Sequence, residues 1–308
     1  MAVRIARLLR SEYDDAAELI HDSTNQWTLK ASGKVAFNCL PTDCRLFPDM
    51  YDVTDYGECI AAYDIDSGRL VGTCYLHPRD THIGVGIVNT APDIAGSGVA
   101  STMIRDACQI ADAACLPLRL LSSASNMDSY SLYHRAGFTT RTVFQDIHFC
   151  VTAHLLDSPS SPSTMGIRLA TLDDVSAITD LEKRLTGIVR PQDWSYLIGH
   201  GIPFQVLLIE GPGAILMGVL NATNHPANCT LGPAVAVSEA AMSSLLFASL
   251  PFVMDRTVLV LAAPTAQYLC NLLYQWGGRN TDIHLLQVRG EYTEPLGVQL
   301  MSFLPESA

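Results

Sequence analysis

Blocks of apolar residues along the chain predict short strands alternating with amphipathic helices. Residues 99–114 carry apolar or small side chains at the i, i+3, i+4 spacing of one buried helical face. Around this helix the first 150 residues predict strands at Val3–Leu9, Cys59–Tyr63, Leu70–His77, Thr81–Val88, Leu118–Ser122 and Val143–Phe149, with further helices at Glu12–Ile20 and Met127–Arg135. Residues 22–50 show no clear period, so we expect them to be irregular with helical parts.

The pattern starts again after a Ser/Pro-rich stretch. Residues 158–164 read Ser-Pro-Ser-Ser-Pro-Ser-Thr, a composition typical of linkers. Beyond it, residues 168–178 echo residues 4–17, and residues 268–278 echo residues 130–137. At 308 residues the chain is also longer than a typical single domain. We therefore predict two tandem copies of one α/β (α+β) fold: an N-terminal domain at 1–157, a linker at 158–165 and a C-terminal domain at 166–308.

The composition narrows the function classes. Apolar residues make up 48% of the chain and charged residues 16%, which is typical of a globular protein. The net charge of −12 argues against non-specific binding to nucleic acid, where Lys and Arg contacts to phosphate dominate. The charge is compatible with a cationic substrate such as an amine, and equally with an ordinary acidic surface.

Cysteine usage and the N-terminal residues predict a cytoplasmic protein. The nine cysteines include no Cys-x-x-Cys pair, and several lie on apolar faces, so we expect free thiols. No apolar run follows the N-terminal arginines, so we expect no secretory signal. The longest uncharged stretch, residues 257–278, is divided by Pro264, and it predicts a strand followed by a helix rather than a membrane span.

A glycine-bearing turn, Ala95-Gly96-Ser97-Gly98, connects the strand at 81–88 to the helix at 99–114. Glycine lets a backbone approach phosphate groups closely, and the N–H groups of a first helical turn bind anions. The pattern indicates a diphosphate site, with an ordinary strand-to-helix turn as the alternative. Farther along, Asn126 precedes a helix that carries Leu132-Tyr133 and is followed by Gly137-Phe138.

These two segments together resemble the GNAT superfamily of acyl-CoA-dependent N-acetyltransferases. The family pattern Arg/Gln-x-x-Gly-x-Gly/Ala is matched at Gly98 and Ala100, and the later pattern is matched at Asn126, Leu132, Tyr133, Gly137 and Phe138. The chain departs from the family at Ala95, where Arg or Gln is usual, which implies one side-chain contact fewer to pyrophosphate. The resemblance covers residues 1–150 well. It implies two GNAT folds in tandem, each a mixed, mainly antiparallel sheet flanked by helices.

The resemblance also implies a site in residue detail. Acetyl-CoA, without a metal, would lie along the edge of the fourth strand at Ile87, Val88 and Asn89. Its phosphates would meet the turn and the first helical residues, Ala95, Gly96, Ser97, Gly98, Val99 and Ala100. Asn126 would contact the pantetheine arm or cap its helix, and Tyr133 would act as the general acid that protonates the departing sulfur.

Other roles stay open in the sequence. Candidate general bases are Glu58, His77 and His82. The acceptor pocket would use residues 22–50, where the candidates for walls or for core residues are Asn25, Trp27 and Phe47. Three serines at the end of the fifth strand would orient a water or belong to a loop: Ser122, Ser123 and Ser125.

The second copy differs at the segment that corresponds to residues 95–100 of the first, the expected phosphate cradle. Residues 231–239 include Pro233, which has no N–H, and Glu239, which carries a negative charge. This half resembles the degenerate C-terminal domain of some double-GNAT proteins, which share a segment like Thr186-Gly187-Ile188-Val189-Arg190. We therefore expect the first copy to transfer an acetyl group to a small-molecule or peptide amine. A non-catalytic acyl-CoA sensor and a tandem scaffold are the alternatives, and the oligomeric state stays open.

Overall fold

The computed structural model describes residues 2–55, 57–157 and 162–306. In the first half, the strands are β1 (Val3–Arg7), β2 (Cys59–Asp64), β3 (Leu70–Pro78), β4 (Ile83–Thr90), β5 (Leu118–Ser123) and β6 (Thr139–Cys150). The helices are α1 (Tyr13–Ser32), α2 (Leu46–Thr54), α3 (Val99–Ala114), α4 (Met127–Arg135) and α5 (Ala153–Leu156). The predicted order of elements is confirmed, and the bounds of α3 and α4 are those that the pattern predicts.

The second half repeats much of this order. Its strands are β7 (Ile167–Leu169), β8 (Phe204–Glu210), β9 (Leu216–His225), β10 (Asn228–Ala236), β11 (Thr257–Ala262), β12 (Arg279–Arg289) and β13 (Val298–Met301). Its helices are α6 (Val175–Thr186), α7 (Pro191–His200), α8 (Glu239–Ser249) and α9 (Gln267–Gln275). Residues 158–161 of the predicted linker lie outside the described residues.

The expectation of an irregular segment at 22–50 is wrong over much of its length. The first helix continues to Ser32, and α2 begins at Leu46. This part of α1 is rich in polar residues and so shows no clear apolar period. The hydroxyls of Ser23 and Thr28 donate to the carbonyls of Leu19 and Thr24, one turn back. Because polar residues with local bonds occupy these positions, the apolar spacing that predicts a helix is missing.

Strands of both halves form one continuous sheet in the part of the chain that the structure describes, in the order β1-β2-β3-β4-β5-β12-β6-β11-β13-β10-β9-β8-β7. The last long strand of each half is exchanged. Strand β12 pairs antiparallel with β5 and β6, and β6 pairs antiparallel with β11. Each half therefore completes its sheet with a strand from the other half.

Two strands of the first half diverge into a wedge. Strand β4 runs parallel to β5 but pairs with it only at Ile83↔Leu118 and Gly84↔Arg119. A bulge follows in β4, where Gly86 and Ile87 lie opposite the single residue Tyr75 of β3. Beyond the bulge, the edge of β4 that faces β5 has no partner strand, so its backbone groups line the wedge.

The corresponding wedge of the second half is filled by the chain itself. Strand β13 inserts antiparallel between β10 and β11, and Leu300 is aligned with Ala234 on one side and Ala262 on the other. The insertion supplies backbone partners to both diverging strands. The two halves thus differ in one structural respect that bears on ligand binding: one wedge is open along β4, and the other is occupied by β13.

The cysteines and the longest uncharged stretch can both be compared with their predictions. The nine cysteines are all free thiols, as predicted. The uncharged stretch at 257–278 forms β11 and α9, a strand followed by a helix. No helix within the described ranges is both long enough and apolar enough to cross a membrane.

The exchange predicts that the first half does not fold alone. A fragment of residues 1–157 lacks β11 and β12, so β6 loses both neighbours and β5 loses its outer neighbour. We expect this fragment to lack a fixed tertiary structure by near-UV circular dichroism. A full-length chain cut at a protease site placed within 158–165 is the control, and it should keep its signal and elute as one particle. A folded, monomeric fragment would contradict the exchange.

Candidate active site

The glycine turn predicted to bind phosphates is exposed at the N-terminus of α3. Ala95, Gly96, Ser97 and Gly98 are all exposed. Gly96 and Gly98 adopt the left-handed conformation, with φ of 81° and 91°, and a Cβ on either would meet no atom within 4 Å. The first helical turn carries no acidic side chain and no side-chain cap. Its N–H groups therefore point into open space, as an anion site requires.

The edge of β4 supplies a second set of backbone groups. Ala91 donates its N–H to the Val71 carbonyl of β3 (2.9 Å). Backbone groups alternate in direction along a strand, so the N–H and carbonyl groups of Asn89 also face β3, while those of Val88 and Thr90 face the wedge. Of the three predicted residues Ile87, Val88 and Asn89, Val88 is therefore the one whose main chain lines the wedge beyond the bulge.

The side chain of Asn89 belongs to the other side of the sheet. Its amide nitrogen donates to Ser23 Oγ of α1 (2.6 Å), and its carbonyl oxygen is buried without a hydrogen-bond partner among the described residues. The hydroxyl of Thr73, the residue paired with Asn89, is also buried and unpartnered. These polar atoms mark the face beneath α1, where the acceptor side of the site was predicted.

The predicted walls of the acceptor pocket are mostly structural. Asn25 holds the loop after α1, donating to the Phe37 carbonyl (2.9 Å) and accepting from the Phe37 N–H (2.8 Å). Phe47 is buried, and Phe37 packs against it with ring centroids 5.9 Å apart. Trp27 is half-buried. Of these residues, Asn25 and Phe47 shape the site through the position of α1 and its loop.

Tyr133 lies on α4 with only 7% of its surface exposed. Its ring packs against Phe138, with centroids 5.9 Å apart. Burial is the main cause that raises the pKa of the Tyr133 phenol well above its ordinary value. The hydroxyl therefore stays protonated at neutral pH and has a proton to donate. Asn126 caps the same helix, since its side-chain oxygen accepts from the Ser129 N–H (3.1 Å).

His77 cannot accept a substrate proton. Its Nδ1 lies 2.9 Å from Asp55 Oδ2 and its Nε2 lies 2.5 Å from the Gly86 carbonyl. Both partners are acceptors, so both ring nitrogens must carry hydrogen. Burial lowers the pKa of His77, but the Asp55 carboxylate outweighs it, and the pKa lies above its ordinary value. The geometry and the pKa agree on a buried imidazolium.

The other two candidate bases lie in different surroundings. Glu58 is partly exposed and faces Arg7 at 3.8 Å. His82 is buried, with its Nδ1 3.0 Å from the Thr81 hydroxyl. Neither contact brings the side chain to the bulge of β4.

The three serines of β5 and its loop contact the exchanged strand β12. Ser122 donates to Gln287 (2.7 Å) on β12, and Ser123 and Ser125 both donate to Asp282. Their hydroxyls are thus used in contacts between the two halves.

A buried cluster of charges joins the halves behind the site, and the sequence did not reveal it. Arg79 contacts Asp55 (2.5 Å) in its own half and Asp193 (2.9 Å) on α7 of the other half. Arg190, from the Thr186–Arg190 segment, pairs with the buried Glu182. Lone charged residues in separate segments carry no pattern that predicts such a cluster.

The sequence profile described as the acetyltransferase (GNAT) family matches residues 23–138. This stretch contains the wedge, the glycine turn and Tyr133. The first half of the chain is a GNAT-family domain. No curated protein gives a significant match to the chain.

Solved structures share the fold of the whole chain, not of the GNAT domain alone. A candidate acetyltransferase of Pyrococcus horikoshii aligns with a TM-score of 0.74 at 12% identity, covering 96% of this chain and 90% of that one. A tandem GNAT protein from the clavulanic acid biosynthesis pathway aligns with a TM-score of 0.63 at 15% identity, covering 95% and 100%. N-myristoyltransferase of Saccharomyces cerevisiae, with bound myristoyl-CoA, aligns at 0.64 and 9% identity, covering 96% and 80%. The likeness places the chain among proteins with two GNAT folds in tandem.

The second GNAT-like fold is degenerate at its cradle. The Gly232-Pro233 pair, predicted to follow the strand, lies within β10 at a bulge. A Cβ on Gly232 would lie 2.7 Å from the carbonyl of Met301, the last residue of β13. Helix α8 follows β10 after two residues without glycine, and Glu239 in its first turn accepts from the Leu269 N–H (2.8 Å).

One functional candidate of the GNAT domain comes from the far end of the chain. After β13, residues 302–306 turn back toward β4, and a Cβ on Gly86 would lie 2.6 Å from Glu306 Oε2. Glu306 is 4% exposed. It lies about 220 residues from the bulge in sequence, and the short tail around it carries no motif, so no sequence signal could place it here.

Proposed function

We propose that the GNAT domain transfers an acetyl group from acetyl-CoA to an amine by direct attack in a ternary complex. The observation that carries the proposal is the open glycine turn at the N-terminus of α3, beside a wedge lined by unpaired backbone groups of β4. The acceptor is a small-molecule or peptide amine. The second half takes no acyl-CoA in this proposal, since β13 fills its wedge.

The glycine turn fits the phosphates of acetyl-CoA, and the edge of β4 fits its pantetheine arm. Open space beside Gly96 and Gly98 would receive the phosphates, with N–H groups of the first turn of α3 as donors. Ala95 adds no side-chain contact, so the backbone provides the recognition. The main chain of Val88 and Thr90 would bond the pantetheine arm as an added strand does. Once bound, acetyl-CoA supplies an acyl group on a good leaving thiol.

The chain's own residues then perform two tasks. A backbone N–H of β4 would polarise the carbonyl oxygen of the acyl group. Tyr133, buried and protonated, is the proposed proton donor to the departing sulfur. Asn126 holds the start of α4 and so fixes the position of Tyr133 along the helix.

Calorimetry with acetyl-CoA and CoA, together with a thiol-release assay over a panel of amines, tests the proposal. The panel would include polyamines, amino acids, aminoglycosides and peptides with free N-termini or lysines. We expect binding of acetyl-CoA and amine-dependent release of thiol. Tight binding with no release over the whole panel would instead indicate a sensor, and no binding would indicate a scaffold.

A cradle variant separates phosphate binding from folding. Gly98→Ala places a methyl group where the phosphates would lie and should weaken acetyl-CoA binding at least ~10-fold, while the left-handed φ lowers stability by about 1 kcal/mol. Gly187→Ala is the matched control, because Gly187 also has positive φ (73°) and open space but ends α6. Equal affinity of the two variants for acetyl-CoA in calorimetry would argue against a cradle at 95–100.

A further inference from the structure

The tail after β13 brings a carboxylate of the second half to the bulge of β4. The gap of 2.6 Å between Glu306 Oε2 and a Cβ built on Gly86 means that the absence of a side chain at Gly86 is what lets the carboxylate approach. Gly86 directly precedes the part of β4 that lines the wedge. The carboxylate therefore lies at the narrow end of the wedge, where an acyl group bound along β4 would end.

Contacts along the tail hold the backbone of Glu306 in place. Tyr51 donates its hydroxyl to the Phe303 carbonyl (2.7 Å), and Leu304 is fully buried in the core shared with the first half. Arg190 Nη1 donates to the Glu306 carbonyl at 3.5 Å. The tail turns between Phe303 and Glu306, which pair as a bridge. A backbone held this way fixes the point from which the Glu306 side chain extends, and a catalytic group needs such support.

The groups around Glu306 come from both halves of the chain. Tyr133 on α4 and Tyr51 on α2 are near enough for the Glu306 charge to raise the pKa of each phenol, although burial is the larger cause for both. The remaining ionisable groups that face this corner are His77 on β3, the Arg79 that follows it, Asp55 after α2, and Arg190 and Asp193 at the start of α7. Of these seven groups, His77, Arg79 and Arg190 carry positive charge, and Asp55 and Asp193 are acidic.

The carboxylate of Glu306 lies beside the bulge, with Oε2 2.6 Å from the position of a Cβ on Gly86. His77 carries hydrogen on both nitrogens, and Tyr133 is a donor. An amine that attacks an acyl group must lose a proton, and a carboxylate pre-positioned beside the bulge suits that task.

We propose that Glu306 is the general base of the transfer, so that the second half supplies a catalytic residue to the first. This inference rests on the proposed function. The carboxylate takes one proton from the substrate ammonium group, and the nitrogen lone pair forms the C–N bond as the C–S bond breaks. Tyr133 gives its proton to the departing sulfur and regains one from the new amide nitrogen through solvent. Glu306 returns its proton to solvent, so each turnover releases one proton.

A measurement without any substrate tests the position of the carboxylate. The titration of the His77 ring, followed by NMR and assigned by the loss of its signal in His77→Gln, should shift to lower pH in Glu306→Gln, since a neighbouring negative charge is removed. Glu291→Gln, on the exposed loop after β12, is the matched control and should leave the titration unchanged. An identical titration in wild type and Glu306→Gln would overturn the proposed position.

Kinetic measurements on Glu306 variants test its role as the general base. Glu306→Gln should bind acetyl-CoA with an affinity within about twofold of wild type, lose about 100-fold or more in kcat and lose the acidic limb of the pH profile. In Glu306→Ala, added formate should restore part of the rate, which a purely structural role would not allow. Unimpaired turnover of Glu306→Gln would overturn the base role and leave the proposed function intact. A wild-type protein that releases no thiol with any amine would overturn both.

Discussion

The Tyr133→Phe variant should lose about two to three orders of magnitude in turnover while it keeps its affinity for acetyl-CoA. The substitution removes one oxygen from a side chain that is 7% exposed and packed on Phe138, so the apolar contacts stay. The hydroxyl is the only part lost, and burial keeps it protonated by raising its pKa. Without it, the thiolate would have to leave unprotonated or draw a proton from water.

Tyr130→Phe is the control for this experiment. Tyr130 lies one turn earlier on α4 and stacks on His134, with ring centroids 6.2 Å apart. Its hydroxyl has no role in the proposal, so the variant should turn over as wild type does. Thiol release under saturating amine measures kcat, and calorimetry measures the affinity. Equal kcat values for the Tyr133 and Tyr130 variants would remove the general-acid assignment.

Replacement of Arg79 by Met should lower the free energy of unfolding by about 3–5 kcal/mol, the range expected when one partner of a buried ion pair is removed. Arg79 bridges Asp55 and Asp193, and all three side chains are buried. The variant would leave two carboxylates without their shared cation at the contact between the halves. Arg69→Met is the control, because the Arg69–Asp93 pair is half-exposed and should contribute under about 1 kcal/mol.

The deficit of the Arg79→Met variant, meaning its loss of unfolding free energy relative to wild type, should become smaller as the pH falls from 7 to 4.5. Burial raises the pKa of Asp193 to about 6, so this carboxylate is mostly protonated at pH 4.5 and no longer needs a cation. Asp55 behaves differently in the wild type: burial raises its pKa, but His77 and Arg79 lower it to about 2.

A folded-state pKa below the unfolded value means that the Asp55 contribution is present above about pH 4 and is lost as the pH falls through 2. Loss of Arg79 raises this pKa toward the unfolded value and so removes stability at both pH 7 and pH 4.5. The change in the deficit between these pH values therefore reports on Asp193. Urea unfolding at both pH values measures the difference, and an equal deficit at pH 7 and 4.5 would contradict the assignment of charges.

Much of the GNAT domain could be predicted from local sequence. The bounds of α3 and α4, the glycine turn and the position of Tyr133 depend on residues within one or two helical turns of each other, and such spacing is written directly in the chain. The helical continuation of α1 to Ser32 was missed because side-chain hydroxyls, not an apolar stripe, accompany it there. The tandem arrangement was also visible, since a second copy repeats the pattern of the first.

Tertiary structure decided what the second copy does. The exchange of β6 and β12, the insertion of β13 and the approach of Glu306 to Gly86 all join residues at least 38 positions apart. No local period encodes such pairings, because strands of similar apolar composition are interchangeable until the whole sheet closes. The same holds for Arg79 and Asp193, whose charges become a bridge only once both halves bury them together. By itself the sequence determined where the glycine turn and Tyr133 would lie along the chain; the tertiary structure determined which carboxylate lies beside the bulge of β4, because long-range packing alone sets that distance.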